Sequence, residues 1–383
     1  MMPGITEDLS IKKTNEASIS LVLQKIAERA AVTEHHPNGP VEEFKWLHEC
    51  GALSIVLPGH PLDFNLPKTP QLLRLLKAVG KANLSVGRIF EGHVNTLYLI
   101  HLYATPEQRE RWYNEVADEG HLFGVWNTQA ADGISLVADG SDFIIKGSKT
   151  FCSGAEIVNR ALISGDIDRN GEKGWQLLIV NMENLPQERI DRKSWRPLGM
   201  KASGSYKVDF SDYTISEQDL LARPGTYLTQ PYFNAGAIRF AAVHLGGAEA
   251  IVEHTLSYLK DLKRTADPFQ QMRIYNMMSA LTTGKLWLNR AGKYYDKWVA
   301  AGSHDEALIA FANMTRTVIE DICIKIMDES NRCVGARGLM EPFELERLYR
   351  DLTFYLRQPA PDATRLKAAE FFIEHDFTFD DDI

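Results

Sequence analysis

The spacing of apolar residues changes twice along this chain of 383 residues, and those changes limit the possible folds more than any single motif does. Up to about Gly120 apolar side chains recur every three or four positions, as in the segment 72–79, which predicts amphipathic helices. From His121 to about Leu221 short apolar or alternating runs are bounded by turn residues, which predicts strands. Helical spacing returns near Tyr232 and continues towards the end of the chain.

This order of elements predicts an α+β multidomain protein. We expect an N-terminal helical domain at 1–120, a middle antiparallel β-barrel or β-sandwich domain at 121–226, and a C-terminal four-helix bundle at 227–383. A chain of this length exceeds what one hydrophobic core usually organises, which also favours several units. The last residues, 376–383, are acidic and are expected to form a solvated tail.

Charge and cysteine usage exclude several classes of protein. The net charge of −9 disfavours a general electrostatic surface for nucleic acid, so no nucleic-acid partner is expected. The four cysteines are far apart and form no CxxC pair, which predicts reduced thiols and no metal site. No apolar run has the length of a signal peptide core or a membrane span, so we expect a cytoplasmic protein without membrane insertion.

Several common catalytic and binding motifs are missing from the sequence. No GxGxxG follows a predicted strand, and the segment 147–150, GSKT, imitates only the end of a phosphate-binding loop. HExxH, EF-hand and GxSxG patterns are also missing. Rossmann-type dinucleotide binding, metal-dependent hydrolysis and serine hydrolysis are therefore not supported.

Three segments of the middle domain carry a resemblance to a known family. The stretch 198–221 contains GMKAS followed by V-x-F and D-x-x-I, which is similar to the GMRxS, V-x-F and D-x-x-V run of the acyl-CoA dehydrogenase family. The segment 123–129, FGVWNTQ, takes the place of the family strand that ends in Thr-Glu-Pro, and 149–153, KTFCS, resembles its Lys-Thr-Trp-Ile-Thr segment. The order of the three domains agrees with that family. The resemblance therefore implies FAD as the cofactor.

The residues of the last two segments suit an isoalloxazine ring. Such a ring needs an apolar wall on one face and hydrogen-bonding groups near its polar edge. Trp126 and Phe151 can supply the wall, whereas polar contacts are available from Asn127, Thr128 and Ser153. The alternative is that aromatic residues in alternating strands simply fill the core. The resemblance assigns Phe123, which opens the first segment, to the same cofactor site.

The predicted bundle adds charged and glycine residues to the implied site. Arg239 resembles an arginine that opens the first bundle helix of the family near the CoA, and its guanidinium suits a phosphate or a carboxylate; a surface ion pair is the alternative. Arg264 resembles the family arginine that reaches the FAD diphosphate of a neighbouring subunit. The segment 333–338 resembles the family GGxG turn, which places Gly335, Arg337 and Gly338 near the cofactor.

The sequence departs from the family at the catalytic base. Oxidation of an acyl thioester requires a base beside the α-carbon, since the proton there is only weakly acidic. Most relatives carry a Tyr-Glu-Gly-Thr stretch, but 355–362 contains no glutamate, and Ile238 stands at the other position that some relatives use. Asp362 is the nearest acid, with a surface helix cap as the alternative. His244 is a second candidate, as a base or as a proton donor to an oxygen-activating flavin; a satisfied core histidine is the alternative.

Three functions follow from these expectations. The resemblance first implies an FAD-dependent oxidoreductase that oxidises an acyl thioester, bound to CoA or another carrier, or a related small substrate by hydride transfer to flavin N5. The second is a flavin-dependent monooxygenase or oxidase of the same fold. The third is an inactive flavin-binding homologue. The resemblance also implies a homodimer or homotetramer in which Arg264 crosses an interface.

Overall fold

The computed structural model describes residues 16–169, 171–302, 306–357 and 360–375. Within them, five helices precede the first strand, as the apolar spacing predicts. The predicted acidic tail at 376–383 lies outside the described residues. The helices are α1 (Glu16–Glu34), α2 (Val41–Glu49), α3 (Thr69–Ala82), α4 (Leu84–Tyr103) and α5 (Pro106–Ala117).

Side chains cap the first turns of α4 and α5. The Asn83 side chain accepts hydrogen bonds from the backbone N–H groups of Ser85 and Val86, which otherwise lack a partner at the start of α4. Thr105 and Gln108 cap each other's backbone N–H groups at the start of α5. Most side chains of α4 are buried, so this helix lies at the centre of the N-terminal unit.

The middle region forms two sheets. Seven strands make the larger sheet in the order β10-β6-β5-β2-β3-β9, with β1 beside β5, and the smaller sheet has the order β4-β8-β7. The strands are β1 (Phe123–Trp126), β2 (Ser135–Asp139), β3 (Asp142–Lys146), β4 (Ser148–Cys152), β5 (Arg160–Arg169), β6 (Glu172–Asn181), β7 (Ile190–Asp191), β8 (Tyr206–Asp209), β9 (Thr214–Ser216) and β10 (Leu220–Leu221).

The larger sheet is mixed, which refines the antiparallel prediction. Both β1 and β2 run parallel to β5, β1 along 160–163 and β2 along 166–167. The chain leaves the sheet at 127–134 and then rejoins the same edge of β5 further along. The alternating pattern of the sequence cannot reveal this arrangement, because it fixes which face a side chain occupies and not the direction of the neighbouring strand.

Helices return after the strands and confirm the predicted helical C-terminal region. Close contact between α7 and α3 joins this bundle to the N-terminal helices: a Cβ atom at Gly246 would lie 2.1 Å from the Lys77 carbonyl oxygen, so glycine is required there. The N-terminal and C-terminal helices pack directly against each other, so this contact does not separate them into domains. The limits at 120 and 226 stay predictions. The helices are α6 (Tyr232–Ala235), α7 (Ala237–Asp261), α8 (Pro268–Ala300), α9 (Glu306–Gly338), α10 (Glu344–Tyr355) and α11 (Pro361–Glu374).

The described residues contain free cysteines but neither a cluster suited to a metal ion nor a helix suited to a membrane. All four cysteines are free thiols, and all but Cys50 are buried. The described part of the chain contains no group of three His, Cys, Asp or Glu residues that could hold a metal ion. Within the same residues, every helix is too short or too polar to cross a bilayer.

Candidate functional site

A cavity of about 370 Å³ opens between the β region and the helices α4 and α10. That volume lies within the range of small-molecule sites, about 300–1,000 Å³. The cavity collects side chains from the N-terminal helices, from both sheets and from the C-terminal helices. Its lining residues are Arg88, Val125, Trp126, Asn127, Thr128, Phe151, Ser153, Trp195, Met200, Ser203, Ser205, Phe354, Tyr355 and Arg357.

A buried lysine fixes the loop that leaves the larger sheet after β1. Lys149 Nζ donates hydrogen bonds to Gln129 Oε1 at 2.7 Å and to the Asn127 carbonyl oxygen at 3.3 Å. It also lies 5.1 Å from the centre of the Trp175 ring, close enough for a cation–π interaction. Burial lowers the pKa of Lys149 to about 8. These contacts hold Asn127 and Thr128 at the edge of the cavity.

Phe151 enters the cavity because β4 is irregular at that residue. The pairing of β4 with β8 shifts register between Lys149 and Cys152, and Phe151 has a left-handed φ of 57°. Such a φ is costly for a bulky side chain and is often found at functional sites. The Phe151 ring is 52% exposed and meets the Trp195 ring edge-to-face at 5.9 Å between ring centres.

The turn after Gly199 brings the β region against α10. A Cβ atom at Gly199 would lie 2.1 Å from the Arg350 carbonyl oxygen, so the backbones are in direct contact. The Met200 N–H donates to Asp351 Oδ1 at 2.6 Å, and Met200 has a left-handed φ of 60°. This turn carries the GMKAS motif, which therefore positions one wall of the cavity next to Tyr355.

Three serine hydroxyls form a hydrogen-bonded chain along that wall. Ser203 Oγ donates to the Met200 carbonyl oxygen at 2.8 Å, so its single proton is used. Ser205 Oγ, 2.8 Å away, must then donate to Ser203, and Ser153 Oγ, 2.9 Å from Ser205, must donate to Ser205. The Ser153 hydroxyl consequently keeps only acceptor capacity for a group in the cavity.

The helical wall of the cavity carries two guanidinium groups and a tyrosine. Arg88 Nη1 donates to Glu91 Oε2 at 2.6 Å, and Arg357 Nη2 donates to Glu320 Oε1 at 2.6 Å. The Tyr355 hydroxyl adjoins Arg88. No carboxylate belongs to the lining formed by the described residues.

His244 lies behind Tyr355 and is not one of the lining residues. Its ring meets the Tyr355 ring edge-to-face at 4.3 Å between centres, and its Nε2 atom is buried without a hydrogen-bond partner among the described residues. Burial and the positive charges of Arg316, Arg88 and Arg357 lower the His244 pKa to about 3. An imidazole with that pKa is neutral and weakly basic near pH 7, which disfavours a role as general base.

One further predicted residue, Phe123, lies in the core beside His93 instead of in the cavity. Phe123 is fully buried, and its backbone N–H donates to His93 Nδ1 at 3.0 Å. The other ring nitrogen of His93 lies 2.9 Å from the Leu53 carbonyl oxygen and donates to it. Burial lowers the His93 pKa to about 4, so His93 is a satisfied neutral core residue. The structure does not bring Phe123 to the other predicted cofactor residues.

Arg239 lies on a buried face of α7, away from the lining residues. Its Nε donates to Asn95 Oδ1 at 2.5 Å, and its guanidinium lies over the Tyr98 ring at 5.0 Å. Asn95 in turn donates to Glu91, so Arg239 is connected to the cavity only through two intervening side chains. Arg239 is buried, so it does not lie at the surface, where the alternative ion pair was expected.

The remaining predicted residues lie at the ends of helices. Asp362 is exposed in the first turn of α11 and is not a lining residue of the cavity. Arg264, just beyond α7, and Arg337, near the end of α9, are also exposed. Gly335 interrupts α9 with a left-handed φ of 61°, as a turn requires, and Gly338 is buried against Val334. Their roles stay predictions.

Nine of the fourteen residues that line the cavity were not predicted from the sequence. Arg88 lies on a helix whose pattern indicates only burial, and no local signal marks it as facing a cavity. Tyr355 and Arg357 fall in the stretch inspected for a missing glutamate, so that stretch could have directed attention to them. Further lining residues missed are Val125, Trp195, Met200, Ser203, Ser205 and Phe354.

Part of the C-terminal region matches a known domain, and several enzymes are similar in sequence over most of the chain. Residues 238–356 match the family model "Acyl-CoA dehydrogenase, C-terminal domain". The mitochondrial isobutyryl-CoA dehydrogenase of Dictyostelium discoideum is 22% identical over 306 residues, which cover 76% of this chain and 71% of that protein. The dibenzothiophene monooxygenase of Mycolicibacterium goodii is 21% identical over 350 residues, which cover 83% and 84%.

Solved structures share the fold over nearly the whole chain. FMN-bound TdsC from Paenibacillus sp. A11-2 has a TM-score of 0.81 at 19% identity and covers 94% of this chain and 98% of its own. The methanesulfinate monooxygenase MsuC from Pseudomonas fluorescens has a TM-score of 0.81 at 18% identity and covers 95% and 97%. The predicted fold and the predicted resemblance are both confirmed. The chain is therefore similar to the acyl-CoA dehydrogenase family, through the domain that residues 238–356 match and through its relatives.

Proposed function

We propose that this chain is a flavin-dependent monooxygenase that acts on a small molecule. The observation that supports this choice is the chemistry of the lining: the described residues offer guanidinium, hydroxyl and amide groups but no carboxylate. Oxidation of an acyl thioester needs a base at the α-carbon, whereas oxygen insertion has no such requirement. A lining without a carboxylate therefore favours the monooxygenase, the second function predicted from the sequence, over the acyl-thioester oxidoreductase, the first.

The residues of the cavity fit a flavin ring. Trp126 and Phe151 supply apolar surface, and Phe151 holds a strained backbone that aims its ring at the opening. Polar groups lie at one edge, where Asn127 and Thr128 are held by the buried Lys149. When bound, a flavin would supply the electron transfer and, in its reduced form, the reaction with oxygen.

The direction of the serine chain favours a reduced flavin. Because Ser153 already donates to Ser205, it can only accept from a ligand in the cavity. A flavin carries a proton on N5 when it is reduced and a bare acceptor there when it is oxidised. An acceptor oxygen on the wall therefore suits the reduced ring better, in agreement with an enzyme that takes up reduced flavin before oxygen.

Acyl-thioester oxidation is the second candidate. It is favoured by the match of 238–356 to an acyl-CoA dehydrogenase domain and by the relative named isobutyryl-CoA dehydrogenase. The exposed position of Asp362 and the low pKa of His244 leave this candidate without a base at the cavity. A reaction on CH–CH groups is therefore the less favoured chemistry.

Oxygen uptake separates these functions. The purified protein would be given FMN or FAD, a separate NADH-dependent flavin reductase and a panel of thioethers, indoles and aromatic acids. We expect oxygen uptake coupled to a product with one added oxygen atom. Acyl-CoA substrates should not bleach the oxidised holoprotein under anaerobic conditions. Bleaching by an acyl-CoA would establish the dehydrogenase, and a flavin-loaded protein inert in both assays would indicate the inactive homologue.

FAD is the form of flavin that we propose, because the exposed Arg264 and Arg337 suit the second phosphate that FMN lacks. Mass spectrometry of the co-purified flavin tests this choice, and FMN alone would contradict it.

We also propose a homodimer or homotetramer, since α8 exposes apolar side chains along one side. The cytoplasm stays the predicted location because free thiols suit a reducing compartment.

A further inference from the structure

The helical wall of the cavity contains two buried polar groups that lack partners. Arg88 Nε and Tyr355 Oη are both buried, and although the two side chains adjoin each other, neither atom has a partner among the described residues that meets the geometry of a hydrogen bond. The Tyr355 side chain is 1% exposed, and both residues line the cavity. Buried donors without partners are uncommon in folded proteins because each one costs free energy. A ligand in the cavity would satisfy both.

Positive charge predominates at this wall. Arg88 is paired with Glu91 and Arg357 with Glu320, but both guanidinium groups line the cavity and neither carboxylate does. Glu91 already accepts hydrogen bonds from Arg88 and Asn95 and is not a lining residue of the cavity. Burial lowers the pKa of His244 most, and the charges of Arg316, Arg88 and Arg357 lower it further. A negatively charged group would therefore be stabilised here.

Aromatic rings border the same wall. Trp195 meets Phe354 edge-to-face at 5.5 Å between ring centres and meets Phe151 at 5.9 Å. Such a chain of rings accommodates a flat apolar body, because ring edges and faces attract one another. The cavity thus combines an aromatic side with a cationic, hydrogen-bonding end.

We propose that the substrate is a small aromatic carboxylate, whose carboxylate binds Arg88, Tyr355 and Arg357 and whose ring lies against Trp195 and Phe354. This inference rests on the proposed monooxygenase function, since it names the class of molecule that would be oxidised. Arginine and tyrosine are suited to this task because a guanidinium binds a carboxylate through two donors and a hydroxyl adds a third.

Binding of benzoate and benzamide to the flavin-loaded protein tests the inference. The two probes share the ring but only benzoate is charged at pH 7. In isothermal titration calorimetry we expect benzoate to bind at least about tenfold more tightly, as hydrogen bonds to charged groups allow. The variant Tyr355→Phe should weaken benzoate binding about tenfold and leave benzamide binding within about twofold. Arg357→Gln should act in the same direction.

Two matched variants control for general effects. Tyr113→Phe also removes a buried hydroxyl without a partner among the described residues, but Tyr113 is not a lining residue. Arg365→Gln removes another arginine that contacts Glu320, again outside the lining. Both should bind benzoate like the unmodified protein. Arg88 is left unchanged because its removal would leave Glu91 as an unpaired buried charge.

The outcomes distinguish the inference from the function on which it rests. If the protein takes up flavin and consumes oxygen with a substrate but binds both probes equally, the inference is wrong and the proposed function stands. If benzoate displaces the flavin, the cationic wall serves the cofactor's phosphate and the inference is likewise overturned. A protein that takes up no flavin would refute the proposed function, while the preference for benzoate could still be measured on it.

Discussion

The single proton of each serine hydroxyl determines what the cavity wall can offer a ligand. In the chain from Ser153 through Ser205 to Ser203, the final acceptor is the Met200 carbonyl oxygen, so all three protons point away from the cavity. The variant Ser205→Ala would leave Ser153 without its acceptor and free its proton to face the cavity. A donor at this position favours the oxidised flavin ring and disfavours the protonated reduced ring.

We therefore expect Ser205→Ala to lower the midpoint potential of the bound flavin. One hydrogen bond contributes about 1 kcal/mol, which corresponds to roughly 20 mV for a two-electron couple. Equilibration with a reference dye measures this shift. Ser330→Ala is the matched control, because Ser330 is also buried and hydrogen-bonded to another hydroxyl but lies outside the cavity lining. An unchanged or raised potential in Ser205→Ala would contradict the deduced direction.

At the level of strands and helices, the sequence predicts what depends on local pattern. The segments around Trp126 and Ser153 were found through their resemblance to short family motifs, and both line the cavity. Phe151 was assigned by resemblance, but the strand irregularity that exposes it has no local signal. Arg88 and Tyr355 meet only after α4 and α10 pack together, so no pattern within either helix predicts their contact.

Two residues that were predicted at the site, Asp362 and Arg239, do not line the cavity because of the way their helices begin and pack. Asp362 was a candidate base because it is the acid nearest to the position of the missing glutamate. However, α11 begins at Pro361, which leaves Asp362 exposed in its first turn. Arg239 was expected near a bound CoA, by resemblance, but α7 buries that face against the Tyr98 ring. Both cases depend on tertiary packing, which periodicity does not specify.

One face of α8 determines the expected assembly. Met272, Tyr275, Met278 and Leu286 are exposed and fall on one side of the helix at about 100° per residue. Apolar surface of this kind commonly marks an interface. We expect light scattering to show a dimer or tetramer, and Tyr275→Glu to weaken the assembly. Leu366→Glu on α11, equally exposed, is the control. A monomeric unmodified protein would contradict the proposal.

The stability of the whole molecule should depend on pH through its buried histidines. Burial lowers the pKa of His93 to about 4 and, together with three arginines, lowers that of His244 to about 3. An unfolded chain has histidine pKa values near 6.5. In mild acid the unfolded state therefore binds more protons than the folded state. The free energy of unfolding is consequently highest above about pH 6.5 and falls as the pH decreases towards the folded-state values.

Each of these histidines should reduce the free energy of unfolding by about 1.4 kcal/mol between pH 7.5 and pH 5.5, where most carboxylates stay ionised. Urea unfolding at the two pH values measures this loss. His244→Phe should abolish the part of this loss that His244 causes, because His244 already packs against Phe240 and Tyr355 and its Nε2 makes no hydrogen bond within the described residues.

His93→Phe is the contrasting variant. It removes the hydrogen bonds to Leu53 and Phe123 and should destabilise the fold at both pH values. If His244→Phe loses as much stability in acid as the unmodified protein, His244 is not the neutral buried group that its surroundings require.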